Sequence, residues 1–265
     1  MYPFFEIWSW DFVVLIYSFG LTLTLCFFLF LWMLKKLSHR SAINISFFFN
    51  RLLWYFLSVF FFSRLFYVIS RWNEYKFIKD PFDFFIMSDY NFSLFWAIFW
   101  FLIVLITTVK INKLKLWKYI DISVLSFLFV AIFWYIWAFL WWQVYWKETN
   151  FWIEILYTNP FSIVPYEVPI FPLALVYSFS FFVLFSILYM LSVFIKIRWF
   201  IWYMWLILFS LIIILLELFS WKTDMFFIMY SYNFTQICAT VLLLWSFIWL
   251  FRIYKSSEKK SLLNL

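Results

Sequence analysis

Long apolar runs alternate with short charged connections along the whole chain. Within each run the apolar residues are continuous rather than spaced at every second position, a pattern that predicts helices and not the strands of a membrane barrel. Seven such runs can be placed, over residues 12–34, 52–70, 92–109, 120–145, 169–195, 199–219 and 234–251. A helix crossing a hydrocarbon core about 30 Å thick needs about 20 mostly apolar residues, which is the scale of these runs. Backbone groups in lipid must be satisfied within the protein, and a helix does this inside a single segment. The expected fold class is therefore all-α, a polytopic membrane bundle of about seven transmembrane helices, with residues 1–265 forming a single integral membrane domain.

The connections carry a second pattern. Lys35, Lys36, Arg40 and Arg51 lie between the first and second runs, Lys110, Lys113, Lys115 and Lys118 between the third and fourth, Lys196 and Arg198 between the fifth and sixth, and Arg252, Lys255, Lys259 and Lys260 after the seventh. Fourteen of the 20 basic residues thus fall on alternate connections. The N-terminal segment, with Glu6 and Asp11, and the intervening connections together hold ten of the 13 acidic residues, among them Asp80, Asp83, Asp89, Glu148, Glu154 and Glu167. Cytoplasmic loops carry the excess of Lys and Arg, so this alternation predicts an outside N-terminus and a cytoplasmic C-terminus. Residues 71–91 and 146–168 become outer-face loops, and 252–265 a cytoplasmic tail. The first run lacks a small-residue cleavage site and reads as a retained helix rather than a removed signal peptide.

Composition agrees with a lipid-embedded chain. Hydrophobic residues make up 68% and charged residues 12%, against about 25% charged in soluble domains. The net charge of +7 comes with no nucleic-acid motif, and the sorting above accounts for it. Cys26 and Cys238 sit inside apolar runs and His39 in a basic connection, so no disulfide framework, metal site or cofactor is expected.

Ionisable groups inside a span are costly and point to function. Arg64 lies in the outer half of the second run, Glu217 near the outer end of the sixth, and Asp121 at the inner start of the fourth. Asp121 is placed to cap its helix. Arg64 and Glu217 share a depth, so they fit either a structural pair or a headgroup site, where a guanidinium would grip a phosphate through two parallel hydrogen bonds. Tyr135 and Gln143 add polar groups to the outer half of the fourth run, suited to interhelical hydrogen bonding or to substrate contact. No broken helix or membrane-centre charge pair of a transporter is evident.

One oddity connects these residues to a known family. The chain has one glycine and 20 tryptophans, where average glycine usage is about 7% and membrane helices use glycine for close packing. With glycine read at each Trp, the segment from Trp134 to Lys147, W-Y-I-W-A-F-L-W-W-Q-V-Y-W-K, becomes G-Y-I-G-A-F-L-G-G-Q-V-Y-G-K. It then resembles the signature of prolipoprotein diacylglyceryl transferases, G-R-I-G-N-F-I-N-G-E-L-Y-G-R. Other stretches resemble that family in the same order: Ser63 to Val68 its A-R-L-G-Y-V, Asp80-Pro81 its N-P or D-P, and Ser93 to Trp96 its S-F-H-G. Further on, Asp121 ends a stretch like its D-L, Phe171 to Leu175 resembles H-P-S-Q-L, the run of Glu217 resembles L-Y-G-L-F-R-F-L-V-E-F, and Gln236 shares the Gln of T-M-G-Q. Two readings of the tryptophans stand. Either the chain is Trp-rich with interfacial aromatic belts, or its gene belongs to a lineage that reads UGA as glycine.

The resemblance implies transfer of a diacylglyceryl group from phosphatidylglycerol to the lipobox cysteine of a prolipoprotein, at the outer leaflet of a bacterial plasma (inner) membrane. It implies anionic phospholipid, a prolipoprotein signal peptide and the bilayer as partners, and Arg64, Tyr135, Gln143 and Glu217 as substrate-binding positions. Several positions depart from the family pattern: the signature Arg is Tyr135, the His of S-F-H-G is Phe95, the acidic signature residue is Gln143, the His of H-P-S-Q is Phe171, and the Arg before Glu217 is Ile213. Tyr and Phe carry no positive charge at physiological pH. Two functions follow as expectations: a divergent transferase in which Arg64 holds the phosphate and Glu217 orients it, or a catalytically inactive relative that binds phospholipid or lipoprotein.

Overall fold

The computed structural model describes residues 4–8, 13–70, 94–140, 155, 169–195, 199–217 and 234–262. Its architecture is helical. In chain order the helices are α1 (Ser18–Arg40), α2 (Ser46–Phe49), α3 (Leu52–Ser70), α4 (Leu94–Ile111), α5 (Leu116–Leu140), α6 (Leu173–Phe194), α7 (Phe200–Glu217) and α8 (Phe234–Leu262). A short antiparallel pair precedes them, β1 (Phe4–Trp8) with β2 (Val13–Tyr17), in register from Phe4 opposite Tyr17 to Trp8 opposite Val13.

Among the described residues, four helices are long and apolar enough to cross a membrane: Gly20–Arg40, Leu116–Leu140, Leu173–Phe194 and Phe200–Glu217. Shorter apolar stretches fill Leu52–Leu65, Trp96–Ile111 and Gln236–Arg252. Large apolar side chains cover the outside of these helices, for example Trp54 at 68% exposure and Phe194 at 78%. Apolar surface on this scale is unsuited to water, and the chain is a membrane-embedded protein. Many hydroxyls within the helices are satisfied locally. Thr24 donates to the Gly20 carbonyl at 2.8 Å, Thr107 to Ile103 at 2.8 Å, and Ser246 to Leu242 at 2.8 Å. Back-bonding of this kind removes the cost of a bare hydroxyl in lipid.

Three boundaries differ from the sequence reading. The first helix begins at Ser18 rather than at residue 12, because the β-branched stretch Val13–Tyr17 pairs as a strand. The expected tail beyond residue 252 continues as helix to Leu262. Asp121 lies in the second turn of α5, not at its start, so it does not cap the helix. The reason is local: α4 closes in a tight left-handed turn at Lys113 (φ 54°), and the chain restarts as helix at Leu116, five residues before the carboxylate. The expected outer loops, 71–91 and 146–168, lie outside the described residues apart from Ile155, which forms an isolated bridge with Ile170.

Two compact units make up the chain. One comprises residues 1–34 and 123–265, the other Lys35–Ile122. In the first, α7 packs against both α6 and α8. Its core is aromatic: Phe181 stacks on Phe209 at 5.8 Å between ring centres, Phe127 meets Trp205 and Phe209, and Tyr203 meets Trp245. In the second, α3 packs against α4, with Phe62 stacked on Trp100 at 3.7 Å and Tyr55 hydrogen-bonded to Thr108 at 3.1 Å.

Glycine and tryptophan are distributed against expectation. Gly20, the chain's one glycine, sits in a helix with nothing within 4 Å of the Cβ it lacks. Meanwhile Trp199 adopts φ 67°, a conformation favoured by glycine and an outlier for a bulky residue. The buried Trp205 indole N–H has no acceptor among the described residues, although buried indoles usually find one.

Candidate functional site

Polar chemistry in the first unit gathers at one end of α5, α6 and α7. Tyr177 lies in the second turn of α6, and Glu217 ends α7. The Tyr177 hydroxyl donates to Glu217 Oε1 at 3.2 Å. Both residues are buried, Tyr177 at 2% exposure and Glu217 at 6%. A carboxylate removed from water is tolerated only with hydrogen-bonding partners, and the phenol supplies one across the helix pair.

Tyr135 joins them from α5. Its ring lies 4.7 Å from that of Tyr177 at an interplanar angle of 23°, and 5.4 Å from that of Phe181. The helices come this close because Ser178, next to Tyr177, is small and donates to the Ile132 carbonyl of α5 at 2.9 Å. Gln236, in the first turn of α8, is also buried. Tyr203 meets Trp245 further along α7 and α8, so Gln236 lies toward the end of the unit that carries Glu217.

Of the sequence-predicted residues, the structure therefore brings Tyr135 and Glu217 into one cluster. Gln143 lies outside the described residues. Arg64 belongs to the other unit, where it is buried at 5% exposure on α3, following Ser63, whose hydroxyl donates to the Phe60 carbonyl at 3.1 Å. Phe95, at the position of the family's His, falls in the first turn of α4.

Sequence reasoning missed Tyr177. Its signal is faint, one hydroxyl in an aromatic run, yet it was readable: Tyr177, Phe181, Leu184 and Leu188 share one helical face, and all are buried. A tyrosine on such a face needs a polar partner. Among the described residues, no group of three or more His, Cys, Asp or Glu stands close enough to hold a metal ion. The cluster can accept hydrogen bonds at a carboxylate and orient that carboxylate through a phenol, inside an otherwise apolar helix bundle.

A model of the family described as prolipoprotein diacylglyceryl transferase matches residues 7–252. No curated protein matches the chain.

Proposed function

The chain belongs to the prolipoprotein diacylglyceryl transferase family, and from that premise we propose that it transfers the diacylglyceryl group of phosphatidylglycerol to the thiol of a prolipoprotein's lipobox cysteine. The family match over residues 7–252 carries this reading. In the reaction, a carbon–sulfur bond forms at the glyceryl carbon as its bond to the phosphate oxygen breaks. Glycerol phosphate leaves, and the thiol gives up its proton to a base. The chain must therefore bind a hydroxylated anionic headgroup, stabilise the departing phosphate and accept a proton.

Glu217 is the buried group able to accept hydrogen bonds from headgroup hydroxyls or to take up a proton, and Tyr177 fixes its orientation. Tyr135 and Gln143 complete the substrate contacts from α5 and beyond it. In the second unit, Arg64 is a buried cation whose chemistry suits a phosphate. The alternation of basic and acidic connections supports seven crossings, an outside N-terminus and a cytoplasmic C-terminus, with the reaction at the outer leaflet of a bacterial plasma membrane.

A specific observation favours a second reading. The family's signature Arg and its S-F-H-G His are Tyr135 and Phe95 here, and neither supplies a cation. A relative without these groups would bind phospholipid or lipoprotein without turning it over. Incubating the purified protein with a lipobox peptide and phosphatidylglycerol separates the two. A thioether-linked diacylglyceryl peptide establishes the transferase; retained phosphatidylglycerol with no such product establishes the binding protein.

A further inference from the structure

Apart from Arg64, the described basic residues of the second unit gather at one end. The last turns of α1 bring Lys35, Lys36, His39 and Arg40, the start of α3 follows Arg51, and the end of α4 leads through Lys110, Lys113 and Lys115 to Lys118 on α5. Side-chain contacts join the pieces from α2 to α5. Arg51 donates to the Phe47 carbonyl at 3.1 Å and to Asn112 Oδ1 at 3.2 Å. Tyr119 of α5 packs on both Phe47 and Phe48 of α2, at 4.8 and 5.7 Å. The ends of α1 and α4 also close alike. Ala42 (φ 50°) and Lys113 (φ 54°) adopt left-handed turns, after which Ile43 N–H donates to Ser38 O at 2.9 Å and Leu114 N–H to Val109 O at 3.0 Å. These bonds occupy carbonyls that would otherwise present negative partial charge at the helix ends. Among the described residues of this unit the one acidic side chain is Asp121, in the second turn of α5.

The same end carries exposed apolar side chains. Phe49, Leu53, Trp54, Ile111 and Leu114 are all exposed, interleaved with the cations. Arg51 lies 4.6 Å from the Phe47 ring centre, and the Lys118 ammonium 5.7 Å from that of Trp117. Cations set among exposed aromatic and aliphatic groups match the level where acyl chains give way to headgroups.

We propose that this basic end is a binding face for anionic phospholipid headgroups, built from residues of the second unit and sharing none with the Tyr177–Glu217 cluster. Arg51 is the fixed element. Its two hydrogen bonds and the ring beneath it hold the guanidinium in one orientation, while Lys113 and Lys115 supply exposed charges around it. The occupant is a phospholipid rather than free phosphate, because the exposed side chains around the cations are apolar and suit acyl chains. The inference does not depend on turnover and holds for a transferase and for a binding protein.

The test uses the full chain in nanodiscs made of equal phosphatidylglycerol and phosphatidylethanolamine, followed by mass spectrometry of the lipids retained after extraction. Wild type retains phosphatidylglycerol in preference. A Lys113→Gln, Lys115→Gln double variant, altered only at exposed positions, retains about tenfold less of it with unchanged phosphatidylethanolamine and unchanged thermal midpoint. Arg51→Lys, which keeps the charge and loses the fork, falls between the two. Equal retention of both lipids by wild type, or unchanged phosphatidylglycerol in the double variant, overturns the proposal. Phosphatidylglycerol lost on Glu217→Gln but kept in the double variant also overturns it and leaves the proposed function standing, since the retained lipid then belongs to the first unit. Displacement by inorganic phosphate in place of lipid would contradict the choice of occupant.

Discussion

Tyr177 and Glu217 face each other across α6 and α7, joined by a 3.2 Å hydrogen bond from phenol to carboxylate. Both lie among apolar neighbours, so the bond holds the carboxylate in a region where charge is otherwise unfavourable. Tyr177→Phe removes the donor and keeps the ring stack with Tyr135. We expect a stability loss of about 1–3 kcal/mol, the cost of taking one hydrogen bond from a buried acceptor. Tyr177→Phe combined with Glu217→Leu should cost less than the two single changes added together, because each single change already removes the bond they share. Thermal or denaturant unfolding in detergent measures the cycle, and strict additivity would mean that the two residues do not act as a pair.

Ser178 sets how closely α6 approaches α5 through its bond to the Ile132 carbonyl. Ser178→Ala should cost about 1 kcal/mol, the net value of one hydrogen bond. Ser178→Leu should cost about 1–3 kcal/mol through overpacking and also displace Tyr135 from Tyr177. Comparing the unfolding midpoints checks both, and the larger loss is expected for Leu.

Glycine positions offer a further check. Trp199→Gly relieves a left-handed backbone that costs an ordinary residue about 1–2 kcal/mol, so the variant should be more stable. Gly20→Ala should also stabilise, by up to about 1 kcal/mol, since the site is helical and nothing lies within 4 Å of the added Cβ. A loss of stability in both variants would show that the indole of Trp199 and the bare backbone at Gly20 are each required. Peptide mass spectrometry on protein from its natural host reads the residue at position 199 directly.

The layout across the membrane is tested by labelling. In a Cys26→Ala, Cys238→Ala background, Lys113→Cys should react with an impermeant maleimide only after cells are opened, and Asp80→Cys should react in intact cells. Labelling of position 113 from outside would reverse the orientation drawn from the basic connections.

Much of the helical framework is legible in the hydrophobic pattern. The run 52–70 returns as α3 with the same bounds, and 199–219 as α7 starting one residue later. Such helices are set by the requirement that lipid-exposed backbone be satisfied within one segment, which a sequence displays directly. The strand Val13–Tyr17 was less readable, because a short apolar stretch at the head of a long run is continuous with the helix that follows. Asp121 misled because helix starts are set by turn geometry at Lys113 rather than by the nearest acidic residue. In the site, Glu217 stood out as a charge in an apolar run. Its partner Tyr177 did not, because an uncharged hydroxyl among aromatics looks like packing until the facing helix is known. Ser178 was hidden for the same reason.

The central claim is that Glu217, held by Tyr177, serves diacylglyceryl transfer. Its most direct test is the yield of thioether-linked diacylglyceryl peptide from wild type and Glu217→Gln, assayed side by side with phosphatidylglycerol and a lipobox peptide at matched thermal midpoints. The account predicts product from wild type and about 100-fold less from the variant, the scale on which one positioned polar group contributes to such a step. Equal yields from the two proteins, or no product from wild type, would contradict it.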